Sequence, residues 1–103
     1  MFHPRPDVNK KAIVEVWRLL GCVWVDADEY SGLDGFLIAP NGIHAVEIKN
    51  PDRNWKLTQA EAKRKDQIER LGQKYNFILR TNEAITLAGF MLDDYVQLAQ
   101  VKV

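Results

Sequence analysis

The chain holds a single cysteine, Cys22, in 103 residues, and its acidic and basic side chains balance at 14 each. One cysteine cannot close an internal disulfide, which separates this chain from small secreted domains stapled by several. Within the run Gly21-Cys22-Val23-Trp24-Val25 it reads as a small buried apolar residue. A net charge of zero removes any overall basic field, so a nucleic-acid surface has to come from a local patch. No apolar run approaches the length of a membrane span, and Met1-Phe2-His3-Pro4-Arg5-Pro6-Asp7 lacks the apolar core of a signal peptide. Neither His3 nor His44 has a partner at zinc-binding spacing. The expectation is a cytoplasmic protein with no membrane partner.

What is present is enough to build a core. The chain is 47% hydrophobic, with three tryptophans, three tyrosines and four phenylalanines, and its length fits one domain. Residues 1–8, with Pro4 and Pro6, read as an irregular arm. From Asn9 the pattern turns helical: Ile13, Val16, Trp17 and Leu20 recur at spacings of three and four, Asp7 or Asn9 can cap, and Gly21 stops the helix. Cys22 to Val25 reads as a short buried strand and Asp26 to Gly32 as an acidic loop.

Two apolar runs, Leu33 to Ala39 and Ile43 to Lys49, flank Pro40-Asn41-Gly42, and Asn-Gly between such runs signals a hairpin. Thr58-Gln59-Ala60-Glu61 has the form of a capping box that opens a helix running to about Leu71, with Gly72 as its stop. Asn76 to Arg80 reads as a strand, Thr81-Asn82-Glu83-Ala84 as a helix start, and Phe90, Tyr95 and Leu98 as a helical stripe in a C-terminal extension over residues 89–103. The order αβββαβα places the chain in the mixed α/β or α+β class, as a single domain.

With Asn41-Gly42 as a two-residue loop, Asp34 falls opposite Lys49 and Phe36 opposite Glu47. Asp34, Phe36 and Ile38 then share a sheet face with Ala45, Glu47 and Lys49, while Leu33, Gly35 and Leu37 face the other way with His44, Val46 and Ile48. Asp34 and Glu47 become diagonal neighbours, roughly 7–8 Å apart at the backbone. In strands that read as buried on both faces, such charges need partners or a metal. Two carboxylates suit a hard cation such as Mg²⁺, and a nearby lysine suits a phosphodiester under attack. A plain cross-strand ion pair between Asp34 and Lys49, with Glu47 in solvent, accounts for the same three residues.

Asp34, the step across the Asn-Gly hairpin to Glu47-Ile48-Lys49, and the Thr58-capped helix together resemble the PD-(D/E)XK nucleases. The nearer likeness is to the small VRR-NUC-like nucleases of phages and bacteria, which are similar to Holliday-junction resolvases. It spans about residues 7 to 88, from the helix ending at Gly21 to the Arg80-Thr81-Asn82-Glu83-Ala84 join. The family's proline before the aspartate is Leu33 here. The resemblance implies an αβββαβ core and a Mg²⁺- or Mn²⁺-dependent endonuclease acting on DNA, branched or duplex, as a homodimer. It assigns the metal to Asp34, Glu47 and the Ile48 carbonyl, and catalysis to Lys49. Glu61 matches an acidic family position, although the capping box alone explains it. Glu15 is the one candidate for the family's first-helix acid, and an exposed helix glutamate equally needs no role.

Lys56, Lys63 and Arg64, with Arg53 in the preceding loop, are the candidate phosphate contacts; a solvated helix face laced with Asp66 and Glu69 would look the same. Trp55 stands between Arg53 and Lys56 as a base-stacking residue or a lid on the core. A module that keeps this fold without catalysis, binding nucleic acid or serving assembly, is the alternative function.

Overall fold

The computed structural model describes residues 7–28, 30–51 and 55–101. The elements run α1 (Asp7–Leu19), β1 (Val23–Asp26), β2 (Gly35–Ala39), β3 (Gly42–Ile48), α2 (Gln59–Arg70), β4 (Tyr75–Ile78), α3 (Thr81–Leu87) and α4 (Leu92–Val101). They form one α+β domain around a four-stranded mixed sheet in the order β1-β2-β3-β4. The first three strands are an antiparallel meander, and α2 carries the chain across so that β4 lies parallel to β3. No helix among the described residues is long and apolar enough to cross a membrane.

The stripe expected on α1 is its core face: Ile13, Val14, Val16, Trp17 and Leu20 are buried, and Gly21 turns the chain away at φ 83°. The helix begins at Asp7, inside the stretch expected as an arm. Asn9 is therefore a residue of the first turn rather than a cap. The C-terminal residues also belong to the fold. Gly89, at φ 86°, separates α3 from α4, and Leu87, Phe90 and Tyr95 pack against the same core.

The hairpin register differs from the one the Asn-Gly signal implied. Ala39 pairs with Gly42, so the turn residues are Pro40 and Asn41, and Phe36 stands opposite Ala45 rather than Glu47. The tertiary contacts of Asn41 explain the shift. Its Nδ2 donates to the Leu87 carbonyl at 3.0 Å, and its Oδ1 meets His44 Nε2 at 2.8 Å, which ties the turn to the end of α3. Proline's fixed φ suits the first turn position, and Gly42 takes φ 135° where the strand resumes. A shift of two residues leaves the face assignments unchanged, because side chains alternate with period two.

One face of the sheet is the core. Leu37, Val46, Ile48 and Ile78 lie there with Ile13 and Trp17 of α1 and Ala84 and Ile85 of α3. Each large side chain sealed from water there contributes about 1.5–3 kcal/mol. Trp17 also donates from Nε1 to the Ala84 carbonyl at 2.8 Å and stacks on Trp24 at 5.2 Å. The other face was expected to be buried as well, and it is not. There α2 lies beside β4, over Tyr75 and Phe77, and leaves Val23, Val25, Phe36, Ile38 and Ile43 exposed.

Candidate active site

Five elements meet at one end of the sheet. Asp34 immediately precedes β2, Glu47 and Ile48 close β3, and Lys49 follows them. Asn9 and Lys10 come from the first turn of α1, Asp26 ends β1, and Thr58 and Glu61 open α2. Pairing ends at Gly35 and Val46, so the next positions along the ladder are Asp34 and Glu47. The two carboxylates are thus direct rather than diagonal neighbours. Lys49 is displaced from its expected place opposite Asp34, and the plain Asp34–Lys49 ion pair is absent from the described residues.

Backbone hydrogen bonds fix the ends of the strands. The Ile48 amide donates to Asp34 Oδ2 at 2.7 Å, and the Asp34 amide donates to the Val46 carbonyl at 3.1 Å. Asn9 Nδ2 donates to the Lys49 carbonyl at 2.7 Å and to the Leu79 carbonyl at 3.2 Å, joining the ends of β3 and β4 to α1. Ile48 has its side chain in the core, so only its backbone borders the site.

Lys49 Nζ lies 3.1 Å from Glu47 Oε2 and 3.0 Å from Glu61 Oε1. Trp55 covers it with a ring centroid at 5.9 Å and rests in turn on Phe77 at 5.1 Å. Glu61 fulfils its capping box as well: its carboxylate accepts from the Thr58 amide at 2.9 Å while the Thr58 hydroxyl accepts from the Glu61 amide at 3.1 Å. One residue both caps α2 and faces the strands.

The loop before β2 holds α2 at this distance. Tyr75 donates its hydroxyl to the Gly32 carbonyl at 2.7 Å, and Arg64 Nε donates to the Ser31 carbonyl at 2.6 Å. Gly32, at φ 77°, lies so close to α2 that a Cβ there would meet the Ala60 carbonyl.

The electrostatics follow from crowding. Two carboxylates, Glu47 and Glu61, converge on Lys49 with Asp34 beside Glu47, and Glu47 is almost sealed from water at a side-chain exposure of 6%. Burial, the hydrogen bond with Glu61 and the field of Asp34 push the Glu47 carboxyl up to about 8. Burial pushes Glu61 up too, but its hydrogen bonds with Glu47, the Thr58 amide and Lys49 outweigh that, and the net direction is down. Lys49 loses stability as a cation through burial and gains more from Glu61 and Glu47, so its net direction is up. A cavity of about 340 Å³ opens onto Asp34, Glu47, Glu61, Thr58 and Lys10.

Among the described residues no set of three or more His, Cys, Asp or Glu side chains is disposed to enclose a metal. Asp34 and Glu47 supply two neighbouring carboxylates on the cavity wall. That donor set fits Mg²⁺, which binds through one or two carboxylates and keeps several waters. The raised Glu47 agrees with such a fit: burial is the main cause, and the field of Asp34 adds to it, so a cation between the two would relieve both.

The remaining expected residues lie elsewhere. Glu15 is exposed and pairs with Arg18 at 2.9 Å, and the described part of the cavity lining takes Lys10 rather than Glu15 from α1. Position 15 is on the flank of α1 away from the first turn that reaches the strand ends. Lys56 and Lys63 are exposed, Arg64 is tied to Ser31 and Gln67, and Arg53 lies outside the described residues. Sequence reasoning missed Lys10, whose Nζ lies 2.9 Å from Asp26 and 3.9 Å from Asp34. The available signal was its place one turn before Val14, where the core stripe of α1 reaches the sheet end. Asn9 was missed for the same reason. Compared with known protein families and with curated proteins, the chain matches none.

Proposed function

We propose that this chain is a Mg²⁺- or Mn²⁺-dependent DNA endonuclease of the PD-(D/E)XK type, with branched or duplex DNA as substrate. One observation carries the reading: Asp34, Glu47 and Glu61 line one cavity, Glu47 and Glu61 share Lys49, and burial with the neighbouring carboxylates raises Glu47 to about 8. A purely structural ion pair requires one acid for one base, and leaving extra buried charge costs stability.

In this reading Asp34 and Glu47 hold the cation with the Ile48 carbonyl beside them. When bound, the ion activates a water and neutralises charge developing on the phosphate. Lys49 offers its ammonium to the water or to a phosphate oxygen, and Glu61 keeps that ammonium in place from the rigid first turn of α2. Trp55 shields Lys49 from bulk water on one side. A homodimer belongs to the same reading. The exposed, uncharged strip of Val23, Val25, Phe36, Ile38 and Ile43 is a surface two copies could bury without opposing like charges.

The test is cleavage of labelled branched, duplex and single-stranded DNA with Mn²⁺. The reading expects cutting of at least one, lost in Asp34→Ala. No cutting by the wild type, or undiminished cutting by Asp34→Ala, removes it.

A second reading, a nucleic-acid-binding or assembly module without catalysis, has one observation behind it: among the described side chains, α1 brings Lys10 rather than Glu15 to the cavity. Mn²⁺ titration separates the two. A nuclease site gains thermal stability from Mn²⁺ beyond an ionic-strength control, whereas the module does not.

A further inference from the structure

The cavity beside the candidate active site has a neighbour. Lys10, Lys11, Val14 and Arg18, one face of α1, line a second opening of about 270 Å³ whose far wall is Trp24 and Asp26. Lys10 lines both cavities. Three cations against one acid stand around this opening, in a chain whose net charge is zero.

Lys10 is held by Asp26 at 2.9 Å, while Lys11 and Arg18 are open to a ligand. Lys11 is exposed and makes no ion pair with a described residue. Among the described residues Arg18 pairs only with Glu15, both side chains more than half exposed, and such surface pairs are weak enough to exchange for a phosphate. Three of the four cations on α2 are engaged instead: Lys65 pairs with Glu69, Arg70 with Asp66, and Arg64 holds Ser31 and Gln67.

We propose that the Lys10, Lys11 and Arg18 face of α1 is a binding track for the sugar–phosphate backbone of a nucleic-acid strand leading into the Asp34–Glu47 cavity. Lys11 and Arg18 are two helical turns apart, roughly 10 Å at 1.5 Å per residue. At a rise of 3.4 Å per nucleotide that distance covers about three phosphates of one strand. Lys10, at the junction of the two cavities, takes the phosphate next to the reacting one. Val14 and Trp24 form an apolar floor that excludes water from the ion pairs. The direction of the track, toward the metal-binding carboxylates, rests on the nuclease reading, whereas binding along α1 does not.

The test is fluorescence anisotropy with a fluorescein-labelled single-stranded oligodeoxynucleotide, in EDTA and over a range of salt. Lys11→Ala/Arg18→Ala should weaken binding about tenfold or more and flatten the logarithmic salt dependence by about 1.4, the value for two lost contacts to a single strand. The control pair Lys65→Ala/Arg70→Ala, both engaged in ion pairs on α2, should change affinity by less than about twofold. Both pairs replace exposed or half-exposed side chains, and equal thermal midpoints show that each variant is folded.

The proposal is overturned if wild type binds no oligonucleotide, or if the α1 variant binds as wild type does with an unchanged salt slope. It is also overturned if a polyglutamate peptide binds as tightly and with the same dependence on Lys11 and Arg18. If the α1 variant loses binding while wild type cuts no DNA with Mn²⁺, the track stands and the nuclease reading falls.

Discussion

Glu61 holds Lys49 Nζ at 3.0 Å with the same Oε1 that accepts the Thr58 amide at 2.9 Å. The two duties can be separated. Glu61→Gln keeps a side-chain acceptor for the cap and removes the charge facing Lys49, so it should cost under about 1 kcal/mol of stability. On the nuclease reading it should lower the cleavage rate by roughly tenfold to a hundredfold, the scale of a lost supporting group. Thr58→Ala does the reverse, losing about 1 kcal/mol of helix capping with the Glu61–Lys49 contact retained. Thermal melts and single-turnover cleavage of the two variants check this. Wild-type rates in Glu61→Gln leave Glu61 with its capping box alone.

The raised Glu47 carboxyl makes stability fall as pH rises. Unfolded, the group titrates near 4.5; folded, near 8. Between those values the folded protein holds the extra proton, so its advantage shrinks with each unit of pH, by at most about 1.4 kcal/mol per unit. Above about 8 both states are ionised and this slope ends. The lowered Glu61 partner works against the slope at its acid end. Melting temperatures in EDTA should therefore drop from pH 5.5 to pH 8.5, and Glu47→Gln should flatten the drop. With Mn²⁺ present, cation binding should strengthen over the same range, because the ion displaces that proton. An EDTA profile identical in wild type and Glu47→Gln would remove Glu47 as its source.

The α+β class and the order of elements were legible because they rest on local signals: the three-and-four spacing of Ile13, Val16 and Trp17, the capping box at Thr58, and period-two alternation in the hairpin. The grouping of Asp34, Glu47 and Lys49 was legible for the last of these reasons, since a two-residue slip preserves the face. What escaped depends on contacts distant in sequence. Asn41 reaches Leu87 across 46 positions and moves the turn, and no local rule contains that bond. Lys10 and Asn9 reach the site because α1 lies across the strand ends, which the helical pattern of α1 does not specify. Exposure of Phe36 and Ile38 escaped too. Their hydrophobicity implied burial, whereas α2, with no buried residue of its own, lies beside β4 and leaves them open.

Gly32 should tolerate no side chain. Its φ of 77° disfavours any L residue, and a Cβ would meet the Ala60 carbonyl and come within 2.7 Å of Arg64 Cβ. Gly32→Ala must strain the loop or push α2 outward, for a loss on the order of 1–3 kcal/mol. Because α2 carries Glu61, the variant should also loosen Lys49. Urea unfolding measures the loss. Gly72→Ala serves as the comparison, with similar φ at 79° but open space around its Cβ, and should cost less.

Ile43 is 70% exposed and ends, on β3, the apolar strip that includes Val23, Val25, Phe36 and Ile38. Replacing it with lysine removes little buried area, so the folded chain should keep its stability to within about 0.5 kcal/mol. If two copies bury this strip against each other, the substitution brings two ammonium groups into a closed apolar interface. Desolvating such charges without partners costs several kcal/mol, enough to shift a dimer toward monomer by orders of magnitude. Sedimentation equilibrium should then show a dimer for wild type and a monomer for Ile43→Lys. A monomeric wild type would mean that the exposed strip serves no self-association, and equal dimer content in both would move the interface to another face.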